Sequence, residues 1–302
     1  MQLSDRKCFL TGASGFVGKS VTSFFGRDNF QIWNRNESFQ LDGAISLIHL
    51  AGKAHDLKNT SSSQGYYEVN TELTKKVFDA FLASEAKVFI TLSSVKAAAD
   101  QVEGELTEQH FPNPVTHYGK SKLLAEEYIF SKEIPEGKRV YILRPCMIHG
   151  PGNKGNLNLL YELVIKGLPW PLGVFENKRS FCSIDNLMFI FKEFIEREDI
   201  PSGIYNVADD EPLSTNELIG LIAKAQNRNP KILNVSKKFI EGVASLGDKL
   251  HLPLNTERLQ KLTSSYIVSN AKIKAAIAKP LPISCRDGLM ETFQTFLRKS
   301  EI

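Results

Sequence analysis

A glycine-rich segment, Thr11–Gly18, follows a short apolar run, Cys8–Thr11, and opens a helical pattern; it constrains the fold more than any other feature. Gly12 permits a tight turn, Gly15 lets the backbone approach a pyrophosphate, and Gly18 allows close packing of the helix on the strand. The N-terminus of that helix offers unpaired N–H groups and the positive end of its dipole to phosphates. This unit predicts dinucleotide binding; the alternative is a glycine-rich turn without a ligand.

Short apolar runs alternate with helical patterns through the first half of the chain. The predicted strands are Cys8–Thr11, Phe30–Trp33, Ser46–Leu50, Val88–Leu92 and Val140–Leu143, and the predicted helices lie near Phe16–Phe25, Tyr66–Ser84 and Tyr118–Ile129. This alternation predicts an α/β fold, a Rossmann-type doubly wound parallel sheet that binds ligands at the carboxyl ends of its strands. We expect residues 1–150 to form the dinucleotide-binding domain. Residues 151–302 are expected to form mainly a smaller substrate-binding lobe, with some elements returning to the first domain.

Composition excludes several classes of protein. The net charge is +3 over 302 residues, and Lys and Arg do not gather in one run, which argues against a nucleic-acid partner. No apolar run approaches the roughly 20 residues of a transmembrane helix, and no signal-peptide pattern is present. The cysteines are far apart and the histidines lack metal spacing, so we expect neither a metal site nor a disulfide framework, and a cytoplasmic location. The cysteines are Cys8, Cys146, Cys182 and Cys285.

The residues after the second strand bear on the choice of cofactor. An acidic residue there would bind the ribose 2′-hydroxyl of NAD, whereas an arginine can accommodate the 2′-phosphate of NADP. This chain has Arg35 at that point and no carboxylate until Glu37. The pattern favours NADP(H), with NAD(H) as the alternative and a solvated loop position as the other interpretation of Arg35.

A tyrosine and a lysine four residues apart, Tyr118 and Lys122, begin a predicted helix and therefore lie on one face of it. The lysine ammonium is expected to lower the pKa of the phenol from its ordinary value near ~10, and it can also hold the nicotinamide ribose. Ser93 and Ser94, at the end of the strand Val88–Leu92, offer a hydroxyl that can orient the reacting oxygen. These serines do not stand in G-x-S-x-G, so an esterase is excluded. On its own, the tyrosine–lysine pair could be an ordinary surface helix start.

The segment Lys231–Leu250 has the pattern of an amphipathic helix. We expect it to pack on the substrate lobe; a role at a membrane surface is the alternative.

Taken together, these motifs resemble the extended short-chain dehydrogenase/reductases, also called the NAD-dependent epimerase/dehydratase family. The resemblance spans nearly the whole chain. The similar segments are Thr11–Gly18, His49–Gly52 (the H-x-A strand end), Val69-Asn70, the double serine Ser93-Ser94, Tyr118 with Lys122, Leu143–Pro145 followed by Gly150–Gly152, Lys178–Phe181 with Ile184–Asn186, and Tyr205–Val207.

The resemblance implies roles for individual residues. The second serine, Ser94, is the catalytic one, together with Tyr118 as acid/base and Lys122. Arg179 meets the diphosphate of a UDP-sugar substrate, and Arg258 is a second candidate for that contact. The implied cofactor contacts are Gly12, Gly15, Phe16, Val17, Gly18, Arg35, Leu50, Ala51, Gly52, Ser93, Tyr118, Lys122 and Pro145.

Within the family, the chain is most similar to a subgroup found in bacterial polysaccharide pathways. This similarity implies a 4-keto reductase acting on a UDP-linked sugar of the 6-deoxy-HexNAc type. A UDP-glucose or UDP-HexNAc 4-epimerase with tightly bound NAD is the alternative, and a non-catalytic NADP(H)-binding sensor or scaffold is an alternative of another class. The resemblance also suggests a homodimer through a two-helix face.

Three departures from the family pattern refine this interpretation. The segment 36–45 is too short for the strand and helix that the family usually has there. Val95 and Lys96 occupy the positions of the Asp–Glu pair of the 4,6-dehydratases, which argues against a dehydratase. Met147 replaces an Asn that is common in the epimerases, which favours the reductase.

Overall fold

The computed structural model describes residues 8–35, 37–39, 41, 43–53, 63–153, 156–250 and 255–300. The strands are β1 Cys8–Thr11, β2 Phe30–Ile32, β3 Ser46–His49, β4 Val88–Leu92, β5 Glu105–Leu106, β6 Arg139–Pro145, β7 Met147–His149, β8 Phe181–Ser183, β9 Gly203–Val207 and β10 Ile267–Val268. The α-helices are α1 Phe16–Phe25, α2 Ser63–Tyr66, α3 Leu73–Ala83, α4 His117–Phe130, α5 Asn156–Ile165, α6 Ile184–Glu196, α7 Thr215–Ala225, α8 Lys237–Leu250, α9 Thr256–Thr263, α10 Ala271–Ile277 and α11 Cys285–Ser300. A π-helical segment, Tyr67–Glu72, joins α2 to α3.

Six parallel strands form the central sheet in the order β2-β1-β3-β4-β6-β9. The chain runs outward from β1 to β2 and then returns to pair β3 with the other side of β1, so the strand order reverses beside β1. In such sheets the crevice at the reversal, at the carboxyl ends of the strands, is where ligands bind. The prediction of a Rossmann-type parallel sheet is confirmed.

Apolar side chains form three buried clusters. Two of them lie on the helix-covered faces of the sheet, around Leu10 and Ile90 on one face and Phe9 and Phe89 on the other. Successive strand residues point to opposite faces, which explains this division. The third cluster joins α5, α7, α8 and α11 around Phe293. Strand β9 belongs to the second half of the chain yet completes the main sheet, and the division into two domains near residue 150 stays a prediction.

One predicted helix begins several residues later in the structure than the sequence pattern indicates. The helix expected over Lys231–Leu250 begins at Lys237, because the residues before it pair instead with a neighbouring segment through the bridges Trp170↔Ile232 and Leu172↔Asn234. The segment 59–65, which is rich in small polar residues, lies partly outside the described residues, and its last three residues open α2. None of the described residues of the segment 36–45 lies in a helix or strand; β3 begins directly after this segment.

A buried polar cluster connects β7, the end of β9 and α11. The side-chain nitrogen, carboxylate oxygen and sulfur atoms of His149, Asp209 and Cys285 lie within 4.8 Å of one another. The spacing of these residues along the sequence did not predict this arrangement. Hydrogen bonds already engage these groups: Asp209 accepts from Asn186 at 2.7 Å, and the two nitrogens of His149 contact Asp209 at 3.2 Å and Thr292 at 3.1 Å. We interpret the cluster as a hydrogen-bonded core that joins distant segments.

Within the described residues, none of the helices combines the length and the apolar character needed to cross a membrane.

Candidate active site

The glycine turn after β1 presses against the end of β3. Gly12 has a φ of +75°, and a Cβ there would lie 2.5 Å from the backbone nitrogen of Ala51. A Cβ on Gly18 would lie 2.2 Å from the carbonyl oxygen of Gly12, whereas a Cβ on Gly15 would meet that oxygen at 3.3 Å. The turn, the strand end and the first turn of α1 are therefore in close backbone contact at the point where the strand order reverses.

These distances predict different stabilities for two alanine substitutions. Gly18→Ala should lower the free energy of unfolding by about 1–3 kcal/mol, because the new methyl group collides with backbone that cannot move aside. Gly15→Ala is the matched control: Gly15 has an extended conformation with φ −71°, so its methyl group fits with a small adjustment. Urea unfolding of both variants measures the difference. Equal stabilities would contradict the close packing of α1 on the turn.

The surroundings of this turn fit a dinucleotide. α1 begins at Phe16, its N-cap Gly15 has no side chain to cap it, and its first turn has no acidic residue, so its N–H groups and dipole are available to phosphates. Phe16 and Val17 are half-buried against the core and fix the direction of the helix. Ser93 Oγ, at the end of β4, is one of the few buried side-chain atoms in the described part of the chain without a hydrogen-bond partner. An unsatisfied buried hydroxyl at this edge favours a polar ligand.

A chain of hydrogen bonds fixes the end of β3. The Thr11 hydroxyl accepts from the Ala51 N–H at 3.2 Å and lies 2.7 Å from His49 Nδ1. On the other side of the ring, Nε2 lies 3.0 Å from the Thr74 hydroxyl, which donates to the Asn70 carbonyl oxygen at 2.7 Å. Burial, followed by the charge of the nearby lysine in α4, lowers the pKa of His49 to about 3. His49 is therefore neutral and positions the predicted cofactor loop that includes Leu50 and Gly52.

Asn70, which the sequence analysis noted only as a motif residue, joins this loop to α4. Its side chain accepts from the Lys53 N–H at 2.8 Å and donates to the Lys53 carbonyl at 3.1 Å and to Ser121 Oγ at 3.0 Å. It lies in the π-helical segment, a type of irregularity that is frequent at functional sites. A Cβ on Gly52 would approach Asn70 Oδ1 and Lys122 Nζ at 3.3 and 3.2 Å.

The three predicted catalytic residues come together at the carboxyl end of β4. Ser94 hydrogen-bonds the Tyr118 hydroxyl, while its own Oγ accepts from the Lys96 N–H at 3.2 Å. Lys122 Nζ donates to the Leu92 carbonyl oxygen at 2.8 Å. The end of β4 and the first turns of α4 thus place the serine, tyrosine and lysine side by side.

The electrostatics of this triad differ from the expectation. The pKa of Tyr118 is raised, because its burial outweighs the hydrogen bond from Ser94, which favours the phenolate. Burial also lowers the pKa of Lys122 to about 8, with Glu126 acting in the opposite direction. In this structure burial therefore outweighs any lowering of the tyrosine pKa, and the contribution of Lys122 to that pKa stays a prediction.

Behind Lys122, Glu126 and Arg144 form a buried ion pair. Arg144 Nε donates to Glu126 Oε1 at 2.9 Å and Nη2 donates to Oε2 at 2.5 Å, so the pairing is bidentate. Both side chains are almost fully buried. Glu126 follows Lys122 by four residues on the same face of α4, and its charge raises the pKa of the lysine. That i, i+4 spacing after the lysine was the sequence signal that could have identified this glutamate.

Arg179 lies at the centre of a group of cations that sequence reasoning identified only in part. Its Nε donates to the Ser264 carbonyl oxygen at 3.1 Å and its Nη2 to that of Lys261. Tyr266 pairs with Arg179, and Lys96 Nζ lies 4.3 Å from the Tyr266 ring centroid. Burial lowers the pKa of Lys96, Asp100 raises it, and Arg179 and Lys261 lower it further. Lys96, two residues beyond Ser94, therefore lies near two other cations, of which Lys261 is paired with Glu257 at 2.5 Å.

The remaining predicted residues lie at the edges of the site. Arg35 is exposed in the turn after β2, where Glu37 accepts from the Asn34 side chain at 2.9 Å. Arg258 is exposed on the first turn of α9, one turn before Lys261. Pro145 is buried at the carboxyl end of β6.

The fold and the site geometry define a dinucleotide-binding α/β enzyme of the short-chain dehydrogenase/reductase type. The sequence profile of the NAD dependent epimerase/dehydratase family matches residues 8–208, about two thirds of the chain. The protein therefore belongs to this family and is an NAD(P)-dependent enzyme.

Three proteins of similar sequence illustrate the range of activities among the relatives of this chain. It is 29% identical to UDP-glucose 4-epimerase of Vibrio cholerae over 99% of both chains. It is 28% identical to the N-acetyl-alpha-D-glucosaminyl-diphospho-ditrans,octacis-undecaprenol 4-epimerase of Escherichia coli O157:H7, covering 88% of this chain and 83% of the relative. GDP-6-deoxy-D-mannose reductase of Pseudomonas aeruginosa is 24% identical, covering 72% of this chain and 79% of the relative.

Solved structures confirm the fold. UDP-glucuronic acid 4-epimerase from Bacillus cereus in complex with NAD superposes with a TM-score of 0.75 at 17% identity, covering 97% of this chain and 99% of the other. RMD from Pseudomonas aeruginosa in complex with NADPH gives a TM-score of 0.71 at 20% identity, covering 98% and 99%. At these identities the likeness concerns the fold alone.

Proposed function

We propose that this enzyme is an NADPH-dependent 4-keto reductase that acts on a UDP-linked sugar of the 6-deoxy-HexNAc type. The observation that carries the proposal is the placement of Tyr118 between Ser94 and Lys122 at the carboxyl end of β4, where Lys122 Nζ is held by the Leu92 carbonyl oxygen at 2.8 Å. Reduction of a ketone requires a proton donor at the new hydroxyl, and a phenol, which is protonated at neutral pH, can give that proton when it is positioned beside the ketone oxygen.

Each residue of the site has a separate role in the proposed reaction. A bound nicotinamide supplies the hydride. Ser94 orients the ketone oxygen by its hydroxyl, and Tyr118 gives that oxygen its proton as negative charge develops there. Lys122, held by the Leu92 carbonyl, stabilises the phenolate that remains. Its ammonium form is the useful one, so the charge of Glu126, which raises the pKa of Lys122, supports this step.

For the cofactor, the proposal is NADP(H). Arg35 is a cation in the turn after β2, and the Glu37 carboxylate nearby is engaged by the backbone and side chain of Asn34. A guanidinium favours a 2′-phosphate by charge-assisted hydrogen bonds. NAD(H) is the alternative.

For the substrate, the proposal is a sugar carried on a diphosphate. Arg179 and Lys261 lie close enough to Lys96 that their charges disfavour its ammonium form. An anion between them would relieve this repulsion, and a diphosphate supplies several acceptor oxygens.

Removing one of these cations should weaken nucleotide binding. Arg179→Ala and Lys96→Met are each expected to reduce affinity for UDP by at least about tenfold, because one charge-assisted hydrogen bond contributes about 1.5–3 kcal/mol. Calorimetry with UDP measures the effect. Lys224→Met, a substitution on α7 away from this group, is the control. Undiminished UDP affinity in Arg179→Ala, or no binding by the unmodified protein, would reject the diphosphate site.

A 4-epimerase with tightly bound NAD is the second candidate function. Two of the relatives described above carry that activity in their names. Such an enzyme removes and returns the same hydride and has no need to exchange its cofactor, so the stoichiometry of bound NAD separates the two functions.

A further inference from the structure

One side of α8 carries a row of exposed apolar side chains. Phe239, Val243, Leu246 and Leu250 have exposed fractions of 66%, 37%, 52% and 58%. Their spacing of four, three and four residues aligns them on one side of the helix, over about 16 Å at 1.5 Å per residue. Isolated exposed apolar residues are ordinary, but a continuous row of this kind marks an interaction surface.

The row is the outer part of a wider apolar sector. The adjacent side of the helix packs on the substrate lobe through Ile240, Ala244 and Gly247. At 3.6 residues per turn, the two acidic residues of the helix, Glu241 and Asp248, lie opposite the row. Lysines border the row on its polar side, at positions 238 and 249. An apolar stripe bordered by lysines, with the carboxylates turned away, is the pattern of a helix that lies in a lipid interface.

The charge around α8 favours an anionic surface over a second copy of the chain. α8 has three lysines and two acidic residues, a net charge of +1, and the charges that border the row are the lysines at positions 238 and 249. Pairing this surface with its own copy would bring like charges together, whereas anionic lipid headgroups complement it.

We propose that α8 docks on an anionic lipid surface through this row. The position of α8 links the docking to the site: Asp248 accepts from the Thr256 N–H at 3.1 Å at the start of α9. Near the other end of α9, the Lys261 carbonyl accepts from Arg179. Docking therefore holds the proposed diphosphate site near the membrane surface. This last step rests on the proposed function; the docking itself does not.

Co-sedimentation with lipid vesicles tests the docking. The full-length protein should pellet with phosphatidylglycerol vesicles, at least about tenfold less with phosphatidylcholine vesicles, and less at high salt. The variant Phe239→Ser/Leu246→Ser should lose at least about tenfold of the pelleted fraction. Phe111→Ser, which removes an apolar side chain that is 87% exposed in the loop before α4, is the matched control and should pellet like the unmodified protein. Circular dichroism and UDP calorimetry verify that each variant is folded.

Each outcome decides the proposal. Failure of the unmodified protein to pellet with phosphatidylglycerol vesicles overturns it, as does equal pelleting of the double variant. An unmodified protein that is oligomeric, with a double variant that becomes monomeric and still binds vesicles, would assign the row to contacts between copies instead. Vesicle binding without UDP affinity would leave the docking in place and reject the diphosphate site alone.

Discussion

Replacing Tyr118 by phenylalanine is expected to lower turnover by about 10²–10⁴-fold, the contribution that general acid–base catalysis makes. The substitution removes the transferable proton and keeps the ring, which packs edge-to-face against Tyr66 with centroids 6.2 Å apart. Cofactor affinity should change little, because the glycine turn and α1 are untouched. Steady-state kinetics with reduced cofactor and a 4-keto sugar, with cofactor binding measured by fluorescence, separate the two effects.

The matched control for this substitution is Tyr67→Phe. Tyr67 lies one residue from Tyr66, and its hydroxyl contacts His117 Nδ1 at 3.0 Å on the exposed side of α4. Its loss should leave turnover close to that of the unmodified enzyme. Near-normal turnover in Tyr118→Phe would show that the proton comes from another group and would reject the assigned mechanism.

Breaking the buried pair of Glu126 and Arg144 is expected to destabilise the protein by about 3–5 kcal/mol, because either single substitution leaves an uncompensated charge in the core. Arg144→Met and Glu126→Leu should each show this loss in urea unfolding. The double variant should recover most of the stability, since replacement of a whole buried pair by apolar side chains is often neutral. In that variant the pKa of Lys122 should fall below its value of about 8, because Glu126 raises it.

An exposed ion pair is the control for this experiment. Lys166 and Glu162 lie 3.6 Å apart with more than half of each side chain exposed, and Lys166→Met should barely change stability. Single variants at Glu126 or Arg144 that unfold like Lys166→Met would contradict the inference that this pair is a buried part of α4 and β6.

The main sheet could be predicted because each of its strands and flanking helices is specified by a short, continuous segment of sequence. Each strand of the first half is a short apolar run bounded by turn residues, and each helix has its own apolar period, so β1, α1 and β4 appear at or within a residue of their predicted bounds. The glycine turn has positional requirements that only glycine satisfies at residue 12, where φ is positive and backbone lies 2.5 Å from the missing Cβ. These constraints are visible in one segment of sequence.

The parts that sequence reasoning missed depend on contacts between distant segments. The charge of Arg179 acts on Lys96 only when the end of β4 comes near the segment before β8, and Glu126 meets Arg144 only when α4 packs on β6. The pKa of Tyr118 is likewise set by burial, a property of the assembled fold that the spacing of Tyr118 and Lys122 does not contain. Spacing identifies which groups can react, whereas tertiary burial sets their charge.

The central claim, NADPH-dependent reduction at Tyr118, is tested most directly by cofactor stoichiometry and turnover in one preparation. The purified protein is denatured and the released dinucleotide is quantified; native protein is then supplied with NADPH or NADH and a UDP-4-keto-6-deoxy sugar. We predict little released NAD, one NADPH oxidised per sugar reduced, and slower reaction with NADH. Stoichiometric bound NAD, together with 4-epimerisation of a UDP-sugar and no net oxidation of NADPH, would contradict the claim and assign the epimerase function.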